Sequence, residues 1–362
     1  MVLKGFKKIF TRCCSHKLPD DLISPEADSL ISPEADSLIP PNKGEFLINN
    51  TIKAEENEGI TFVCTFSRAL LVPIFFKAFN QMDLPKKDIH LLVYDNTQDF
   101  FLKTKLLAEV EPLVPLFKSV RLFKSNLKGQ GSISGSGNEI FEESVLFNIW
   151  SMWLKIKDMI FTKTFFQLED DTIAPPDAFT KLFFELEKDE NIGLVTGIET
   201  GRNPYPWVPV RLGVHYMKVI NKDDVNKFKI LERQSLHPDT KGVVEVDGTG
   251  VYCMAVRTKA WLDGFDGFDP VKHRCMFFAM DNTLVWNMKL KGWKILADFS
   301  IWCSHLQASA GRIVAFSKDQ ALEMGDVWLS DYNSYAQGVE KVPLNQKARS
   351  TRVRTNALTW EM

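Results

Sequence analysis

Short, continuous apolar runs alternate along the middle of the chain with longer segments of helical periodicity. The first apolar runs cover residues 60–66, 89–94 and 120–123, and helical patterns cover 70–79 and 100–117 between them. Short β-rich runs of this kind are typical of strands that are buried on both faces. Strand, helix, strand, helix, strand in this order predicts a parallel sheet with covering helices.

The same alternation continues through the rest of this region. The further predicted helices are 144–160, 176–188, 258–263 and 281–290, and the further predicted strands are 165–168, 192–196, 251–256, 293–296 and 301–305. Residues 200–242 are less regular, and the proline- and aromatic-rich segment 202–211 predicts a rigid, exposed insertion. We interpret this insertion as a lid that faces an acceptor.

The segments on either side of this region are predicted to be extensions. The octapeptide Ile-Ser-Pro-Glu-Ala-Asp-Ser-Leu occurs twice in tandem, at 23–30 and 31–38, and its proline, serine and acidic residues are typical of a tether. We therefore predict a flexible N-terminal arm over 1–58, one domain over 59–310 and a C-terminal extension over 311–362, which has a basic tail.

Composition limits the classes of protein to which the chain can belong. With 362 residues, 45% of them hydrophobic, it is long enough to bury a sizeable core. A net charge of −2 provides no overall attraction to nucleic acid or to an anionic membrane. The six cysteines have no repeated spacing, so reduced thiols are expected rather than a zinc site or a disulfide framework.

The sequence shows no targeting or membrane-spanning segment. Its N-terminal residues lack the continuous apolar segment of a secretory signal. No stretch approaches the roughly 20 apolar residues of a membrane span. A soluble, cytoplasmic protein without a signal peptide is therefore expected.

Three consecutive carboxylates, Glu169, Asp170 and Asp171, directly follow the apolar run 165–168. In open α/β sheets, ligands bind beyond the carboxyl ends of the strands, which is where these side chains are expected. Adjacent carboxylates repel one another unless a cation or hydrogen-bond donors lie among them. The motif therefore predicts a cation or ligand site, and a solvated acidic turn before the next helix is the alternative interpretation.

Three further features have both a functional and a structural interpretation. Asp281 opens a predicted helix, where a carboxylate caps free N–H groups and also stays ionised, as a general base must be. Gly248, Thr249 and Gly250 precede a predicted strand, and glycine there permits either a tight turn or a close approach of the backbone to a ligand. The glycine- and serine-rich segment 128–138 is able to bring backbone N–H groups to an anion, but an ordinary connection explains it equally well.

Over residues 59–310, an ordered set of motifs resembles that of the GT-A-fold, metal-dependent nucleotide-sugar glycosyltransferases, in particular the inverting family-2-like group. The motifs are Thr65-Phe66-Ser67-Arg68, Tyr94-Asp95-Asn96, Glu169-Asp170-Asp171 (similar to the metal-binding DXD motif in its Glu-Asp-Asp form), Gly264-Phe265-Asp266, Gly267-Phe268-Asp269, Asp281, Gly292-Trp293-Lys294 and His305. The segment after Lys128 lacks the family's Ala-Arg-Asn sequence, and residues 200–242 match no family element. The resemblance implies a GT-A (Rossmann-like) α/β fold with a mostly parallel sheet and a single catalytic domain.

The resemblance also implies a role for each matching residue. Asp171 and His305 would bind a divalent cation with Glu169 in support, and imidazole beside oxygen ligands favours Mn²⁺ over Mg²⁺. Asp281 would be the general base. The nucleotide-sugar donor would contact Thr65, Phe66, Arg68, Asp95, Asn96, Asp170, Gly248, Thr249 and Gly250. Among these, Asp95 would lie at the base edge and Asp170 at the ribose or sugar hydroxyls, while Arg68 and His305 also have a structural alternative.

These implications predict a metal-dependent inverting transferase. It would move a hexose or similar sugar from an NDP-sugar, with a UDP-sugar as the expected donor, to an acceptor hydroxyl. A nucleotidyltransferase of sugar phosphates is the first alternative, although the glycine-rich loop with Lys or Arg that it needs after the first strand is missing. A non-catalytic sugar- or nucleic-acid-binding module with the same fold is the second. The acceptor stays open among modified DNA, protein and glycan.

Overall fold

The computed structural model describes most of the middle of the chain and two short segments after it. The described residues are 44–51, 58–67, 71–97, 100–126, 143–199, 212–220, 229–267, 280–309, 312–315 and 358–360. Outside them lie the octapeptide repeat, Arg68, the segments 128–138 and 202–211, and the basic tail. The predicted limits of the single domain, 59 and 310, therefore stay a prediction.

Strands and helices alternate along the described residues. The strands are β1 (Glu45–Asn49), β2 (Ile60–Phe66), β3 (Ile89–Asp95), β4 (Ser119–Lys124), β5 (Thr164–Glu169), β6 (Thr172–Ile173), β7 (Ile192–Ile198), β8 (Val214–Ile220), β9 (Lys229–Ser235), β10 (Val243–Glu245), β11 (Gly248–Thr249), β12 (Cys253–Arg257), β13 (Lys294–Trp302), β14 (Ser304–Ser309), β15 (Arg312–Ala315) and β16 (Leu358–Trp360). The helices are α1 (Val72–Phe79), α2 (Phe100–Val110), α3 (Glu143–Met159), α4 (Ala178–Leu186), α5 (Thr258–Phe265) and α6 (Met280–Leu290).

The largest sheet of the described region has nine strands in the order β1-β4-β3-β2-β5-β12-β7-β13-β10. Strands β2 to β5 run parallel to one another, and β13 runs parallel to β7. β12 is antiparallel to both β5 and β7, so β7 has the same direction as β5. All of these strands except β1, β10 and β12 therefore share one direction. The predicted fold class, an α/β domain with a Rossmann-like, mostly parallel sheet and covering helices, is confirmed, and the strand order is consistent with the GT-A expectation.

Aromatic side chains cover both faces of this central sheet. Phe166 on β5 points to the face where α1, α2 and α4 pack, and its ring lies 4.8 Å from that of Phe62 on β2. The neighbouring Phe165 points to the other face, because side chains alternate along a strand. There it meets Trp261 of α5, which contacts Trp153 of α3. Burial on both faces thus explains why these strands appear in the sequence as continuous apolar runs.

Three parts of the chain are more regular than the sequence pattern predicts. β1 lies within the interval predicted to be a flexible arm, yet it pairs with β4 at the edge of the central sheet. β8 and β9 lie in the insertion predicted to be irregular, and with β11 they form a separate three-stranded sheet. β15 and β16 lie in the C-terminal extension and continue the sheet of β6 and β14. These strands depend on partners elsewhere in the fold, which a local apolar pattern does not reveal.

Loss of the Phe62 ring is expected to destabilise the domain strongly. Phe62 is fully buried and contacts the rings of Phe79 and Phe166, so Phe62→Ala should lower the free energy of unfolding by about 3–5 kcal/mol. Phe184→Ala is the matched control, because Phe184 of α4 is 66% exposed, and its cost should stay within about 0.5 kcal/mol. Urea unfolding followed by circular dichroism measures both values. Equal costs for the two variants would contradict this packing.

Candidate functional site

Asp170 is fixed to the end of the neighbouring strand β2. β5 and β2 are parallel, and Thr65 lies opposite Glu169 at their carboxyl ends. The N–H group of Asp170 donates to the Thr65 carbonyl over 3.1 Å, and the Asp170 Oδ2 accepts from the N–H group of Ser67 over 2.8 Å. Asp170 is only 2% exposed. Its carboxylate therefore lies among the strand ends, which does not fit the alternative of a solvated acidic turn.

Asp171 and His305 meet at the same edge of the sheet, although 134 positions separate them in the sequence. β6 begins directly after Asp171 and pairs with β14, which places Thr172 opposite His305. The N–H group of Leu306 donates to the Asp171 carbonyl over 2.7 Å and fixes this pairing. The His305 Nε2 lies 2.9 Å from the Asp171 Oδ2, and both side chains are almost fully buried. A buried carboxylate and a buried imidazole are thus in contact beyond the carboxyl end of β5.

Glu199 is a further charged residue at this position, and the sequence analysis does not identify it. It directly follows β7 and is 4% exposed. Its Oε2 accepts a hydrogen bond from the Thr172 hydroxyl over 3.0 Å, and its Oε1 lies 3.7 Å from the His305 Nδ1. His305 therefore lies between two carboxylates. The sequence signal for Glu199 is of the same kind as that for Asp171, because each is a carboxylate three residues after the end of a predicted strand.

The charge of Glu199 acts on the buried groups around it. Burial, and after it the negative charge of Glu199, raises the pKa of the Tyr252 phenol well above its usual value. A hydrogen bond with Cys253, burial and Glu199 together raise the pKa of the Cys303 thiol. Both side chains are therefore neutral over the physiological pH range.

The ends of β2 and β3 are joined beside these residues. The N–H group of Asn96 donates to the Phe66 carbonyl over 2.7 Å. The Asp95 Oδ1 accepts from the N–H group and the hydroxyl of Thr97 over 2.8 and 2.6 Å, and its Oδ2 lies 3.1 Å from the Lys124 Nζ. The resemblance implies that the Asp95 carboxylate contacts the nucleotide base, but Lys124 already pairs with it. The Asn96 Oδ1, in contrast, is buried and accepts no hydrogen bond within the described part of the chain.

Two of the residues expected to hold the nucleotide have their side chains inside the fold. The Phe66 ring is buried and stacks on Phe76 of α1, so it belongs to the core. What Phe66 contributes at this edge is the backbone carbonyl that Asn96 binds. The Thr65 hydroxyl accepts a hydrogen bond from the Gln167 Nε2 over 3.2 Å.

A second group of predicted residues surrounds the start of α6. β11 pairs with β8, with Gly248 opposite His215, and α6 packs against β11. A side chain at position 248 would collide with the Asn282 carboxamide and the His215 imidazole, so glycine is required there. Asp281 precedes Asn282 in the first turn of α6 and is partly exposed. The predicted base candidate therefore lies beside the predicted sugar-binding segment.

Backbone hydrogen bonds connect the two groups. The N–H group of Gly213, just before β8, donates to the Glu199 carbonyl over 2.9 Å, and the Gly213 carbonyl accepts from the N–H group of Gly250 over 3.1 Å. The adjacent Thr249 is buried, and its hydroxyl donates to the Gly250 carbonyl over 3.0 Å. The Asp171–His305 pair and the segment 248–250 are thus parts of one framework that passes through Glu199.

The Asp171–His305 pair supplies one carboxylate oxygen and one imidazole nitrogen, a combination that suits Mn²⁺ better than Mg²⁺. Their 2.9 Å separation is close to the roughly 3 Å between adjacent ligands of an octahedral cation. Among the described residues, no group of three or more His, Cys, Asp and Glu side chains is arranged to hold a metal. A cation bound at the pair would therefore have to take its other ligands from phosphate and water. Glu169 is partly exposed at the end of β5, and its supporting role stays a prediction.

Comparison with known proteins gives distant structural likenesses. No protein-family model matches the chain, and no curated protein matches it. The mannosyltransferase PcManGT from Pyrobaculum calidifontis, solved in complex with GDP-Man and Mn²⁺, is similar over 86% of this chain and 71% of its own, at 12% identity and a TM-score of 0.44. A197 from STIV is similar over 72% of this chain and 91% of its own, at 14% identity and a TM-score of 0.33. At these scores neither likeness identifies a function.

None of the described helices combines the length and the apolar character needed to cross a membrane.

The buried phenol of Tyr252 should make stability depend on pH in the alkaline range. Its pKa in the folded state is raised above the unfolded value of about 10. Above pH 10, the unfolded chain therefore ionises while the folded one does not, and the folded state loses stability. Tyr252→Phe lacks this group and loses the hydrogen bond to the Gly197 carbonyl, which costs about 1 kcal/mol. The stability advantage of the wild type should therefore shrink above pH 10, by up to about 1.4 kcal/mol per pH unit.

Urea unfolding at a series of pH values from neutral to about 11 measures this difference. Tyr216→Phe is the control for removal of one phenol, because Tyr216 is 41% exposed. A difference between wild type and Tyr252→Phe that stays constant across the series would contradict the burial of this phenol.

Proposed function

We propose that the chain is a metal-dependent glycosyltransferase. It would transfer a sugar from an NDP-sugar, with a UDP-sugar as the expected donor, to an acceptor hydroxyl with inversion at the anomeric carbon. The observation that carries the proposal is the buried contact between Asp171 and His305 beyond the carboxyl end of β5. Ligands of open α/β sheets bind at that edge, and a hard cation there is suited to a diphosphate.

The acidic segment would hold the diphosphate part of the donor. Asp171 and His305 would bind Mn²⁺ or Mg²⁺, with Glu169 in support. A cation bound there supplies Lewis-acid stabilisation of the leaving diphosphate. Asp170, whose carboxylate is fixed by the Ser67 N–H group, would bind the ribose or sugar hydroxyls.

The nucleotide base would lie beside the end of β3. Asp95 is engaged by Lys124 and Thr97, so we assign it to positioning this strand end and assign the base contact to Asn96. The buried Asn96 Oδ1 accepts no hydrogen bond from the described residues, and an unsatisfied acceptor of this kind costs about 1–3 kcal/mol. A ring N–H group, such as that of uracil, would satisfy it. Arg68, which lies outside the described residues, would complete the nucleotide contacts.

Asp281 would take the proton of the acceptor hydroxyl. Its place in the first turn of α6 keeps the carboxylate ionised, because a helix N-terminus favours negative charge. The sugar would lie against the segment 248–250 beside the start of α6, where Gly250 is the partly exposed residue. A base on the acceptor side serves direct displacement, which is why we propose inversion.

The end of β2 favours this proposal over a nucleotidyltransferase of sugar phosphates. Such an enzyme needs backbone N–H groups after the first strand for its nucleotide phosphates. Here, the carboxylate of Asp170 already accepts from the Ser67 N–H group, and a phosphate in the same place would be repelled. A non-catalytic sugar- or nucleic-acid-binding module would bind ligands without turnover, so the following measurements distinguish it. Modified DNA, protein and glycan all remain open as the acceptor.

Removal of either member of the pair should abolish most metal-dependent turnover. Mn²⁺-dependent hydrolysis of UDP-sugars without acceptor should fall by about 100-fold or more in Asp171→Asn and in His305→Gln, because each loses a ligand. Asp189→Asn and His237→Gln are matched controls and should keep the wild-type rate. Asp189 pairs with Lys294 at the other end of β7, and the His237 side chain is 30% exposed.

Two results would count against the proposal. Equal hydrolysis in the wild type, Asp171→Asn and His305→Gln would contradict the assigned site. Wild-type protein that binds UDP-sugars with Mn²⁺ but turns over none of them, with or without candidate acceptors, would favour the binding module.

Asp281→Asn should lower kcat while it leaves the donor affinity unchanged. Asparagine also caps helix N-termini, so α6 is expected to keep its start, whereas loss of a general base lowers kcat by about 10²–10⁴-fold. Asp266→Asn is the control, because Asp266 is exposed at the end of α5 and pairs with Lys291. The assay uses an acceptor found by screening glycans, peptides and DNA. Proton NMR of the anomeric centre reports the product, and retained configuration would contradict the role of Asp281.

A further inference from the structure

Glu199 contacts the imidazole of His305 from the side opposite Asp171. The His305 Nε2 lies 2.9 Å from the Asp171 Oδ2, and the His305 Nδ1 lies 3.7 Å from the Glu199 Oε1. The exposed fractions of the three side chains are 1% for Asp171, 5% for His305 and 6% for Glu199. Water therefore screens these charges poorly. Because a carboxylate only accepts, the 2.9 Å contact is a hydrogen bond that Nε2 donates to Asp171, whereas the 3.7 Å contact with Glu199 is an ionic one beyond hydrogen-bond distance. A cation on Nε2 would replace that proton, and the Glu199 carboxylate would then favour the imidazole tautomer that keeps its proton on Nδ1.

The fold itself fixes the position of Glu199. The Thr172 hydroxyl donates to the Glu199 Oε2 over 3.0 Å, and Thr172 lies opposite His305 in the pairing of β6 with β14. The N–H group of Cys303 donates to the Ile198 carbonyl over 2.7 Å, which ties the end of β7 to the start of β14. The Glu199 carbonyl accepts from Gly213 on its other side. Backbone hydrogen bonds therefore fix the main chain at residues 198 and 199, and the Thr172 hydroxyl fixes the Glu199 carboxylate.

We propose that Glu199 is a positioning residue for metal binding. Fixed by Thr172, it would orient His305 so that the Nε2 atom and the Asp171 carboxylate face one cation together. The inference rests on the metal site of the proposed function. In metal sites, the second ring nitrogen of a ligating histidine is commonly oriented by a carboxylate, and loss of that partner lowers metal affinity about 10–100-fold.

A purely structural role for Glu199 is the competing explanation. A buried carboxylate, imidazole and carboxylate could join β6, β7 and β14 without any cation. In that case, removal of the charge of Glu199 would change the stability of the fold and leave the metal affinity unaltered. Affinity for Mn²⁺ alone therefore separates the two roles.

Titration of the full chain with MnCl₂, with and without UDP, followed by electron paramagnetic resonance of the free ion, tests the proposal. Glu199→Gln keeps the size of the side chain and an acceptor for Thr172 but removes the charge, so the Kd for Mn²⁺ should rise about 10–100-fold. Thr172→Val removes the hydroxyl that fixes Glu199 and should shift the Kd in the same direction, whereas Thr172→Ser should keep the wild-type value. Glu187→Gln is the matched control, because the Glu187 side chain is 62% exposed beside Arg257.

The outcomes separate this inference from the proposed function. Wild-type binding of Mn²⁺ with an unchanged Kd in Glu199→Gln and Thr172→Val would overturn the positioning role and leave the metal site intact. Wild-type protein that takes up no Mn²⁺ in either condition would overturn both. If Glu199→Gln does not fold, the Thr172 variants decide: a higher Kd in Thr172→Val than in Thr172→Ser supports the role, and equal values overturn it.

Discussion

The register of β5 between β2 and β12 is the constraint on which the candidate site depends. Phe165 and Phe166 point to opposite faces of the sheet, and each ring enters a separate aromatic layer. A slip by one residue would move both rings to the wrong face. It would also separate Asp170 from Ser67, whose N–H group binds its carboxylate. Because Asp170 and Asp171 directly follow β5, the burial of this strand on both faces determines where their carboxylates lie.

Burial on both faces also explains which parts of the fold are predictable from the sequence. β2 and β3 are apolar at five of seven positions each, and the centre of β5 is apolar except for Gln167, so their local pattern is sufficient to identify them. β8 and β9 belong to a small separate sheet, and their residues mix polar and apolar types without a continuous run. β1 is an edge strand whose pairing is set by β4, which is distant in sequence. In these cases the local sequence does not indicate which strand is the pairing partner.

The same limit applies to the site. Asp171 is predictable because it follows an apolar run, and His305 is predictable from its place in an ordered set of motifs. The ion pair of Asp95 with Lys124 is not predictable in this way. It forms because the two residues lie opposite each other in the pairing of β3 with β4. Glu199 is within reach of His305 because the end of β7 is bonded to the start of β14. Both contacts are consequences of strand register, which a single sequence does not specify.

The buried charges at this edge argue for binding rather than for stability. Asp170, Asp171, Glu199 and His305 are all buried, and a buried ionic group rarely stabilises a fold more than a well-packed apolar one would. Their positions are nevertheless fixed by backbone hydrogen bonds from several strand ends, as pre-organised ligand sites require.

The same backbone framework extends from Glu199 to the start of the β8–β9 pair. Gly213 binds Glu199 through its N–H group and Gly250 through its carbonyl, just before the β8–β9 pair begins. These contacts are made by the backbone, and glycine is needed at 213 because a side chain there would collide with the ring of Tyr252. Under the proposed function, the central sheet would fix the chemistry of transfer, and the insertion would be left to determine the choice of acceptor.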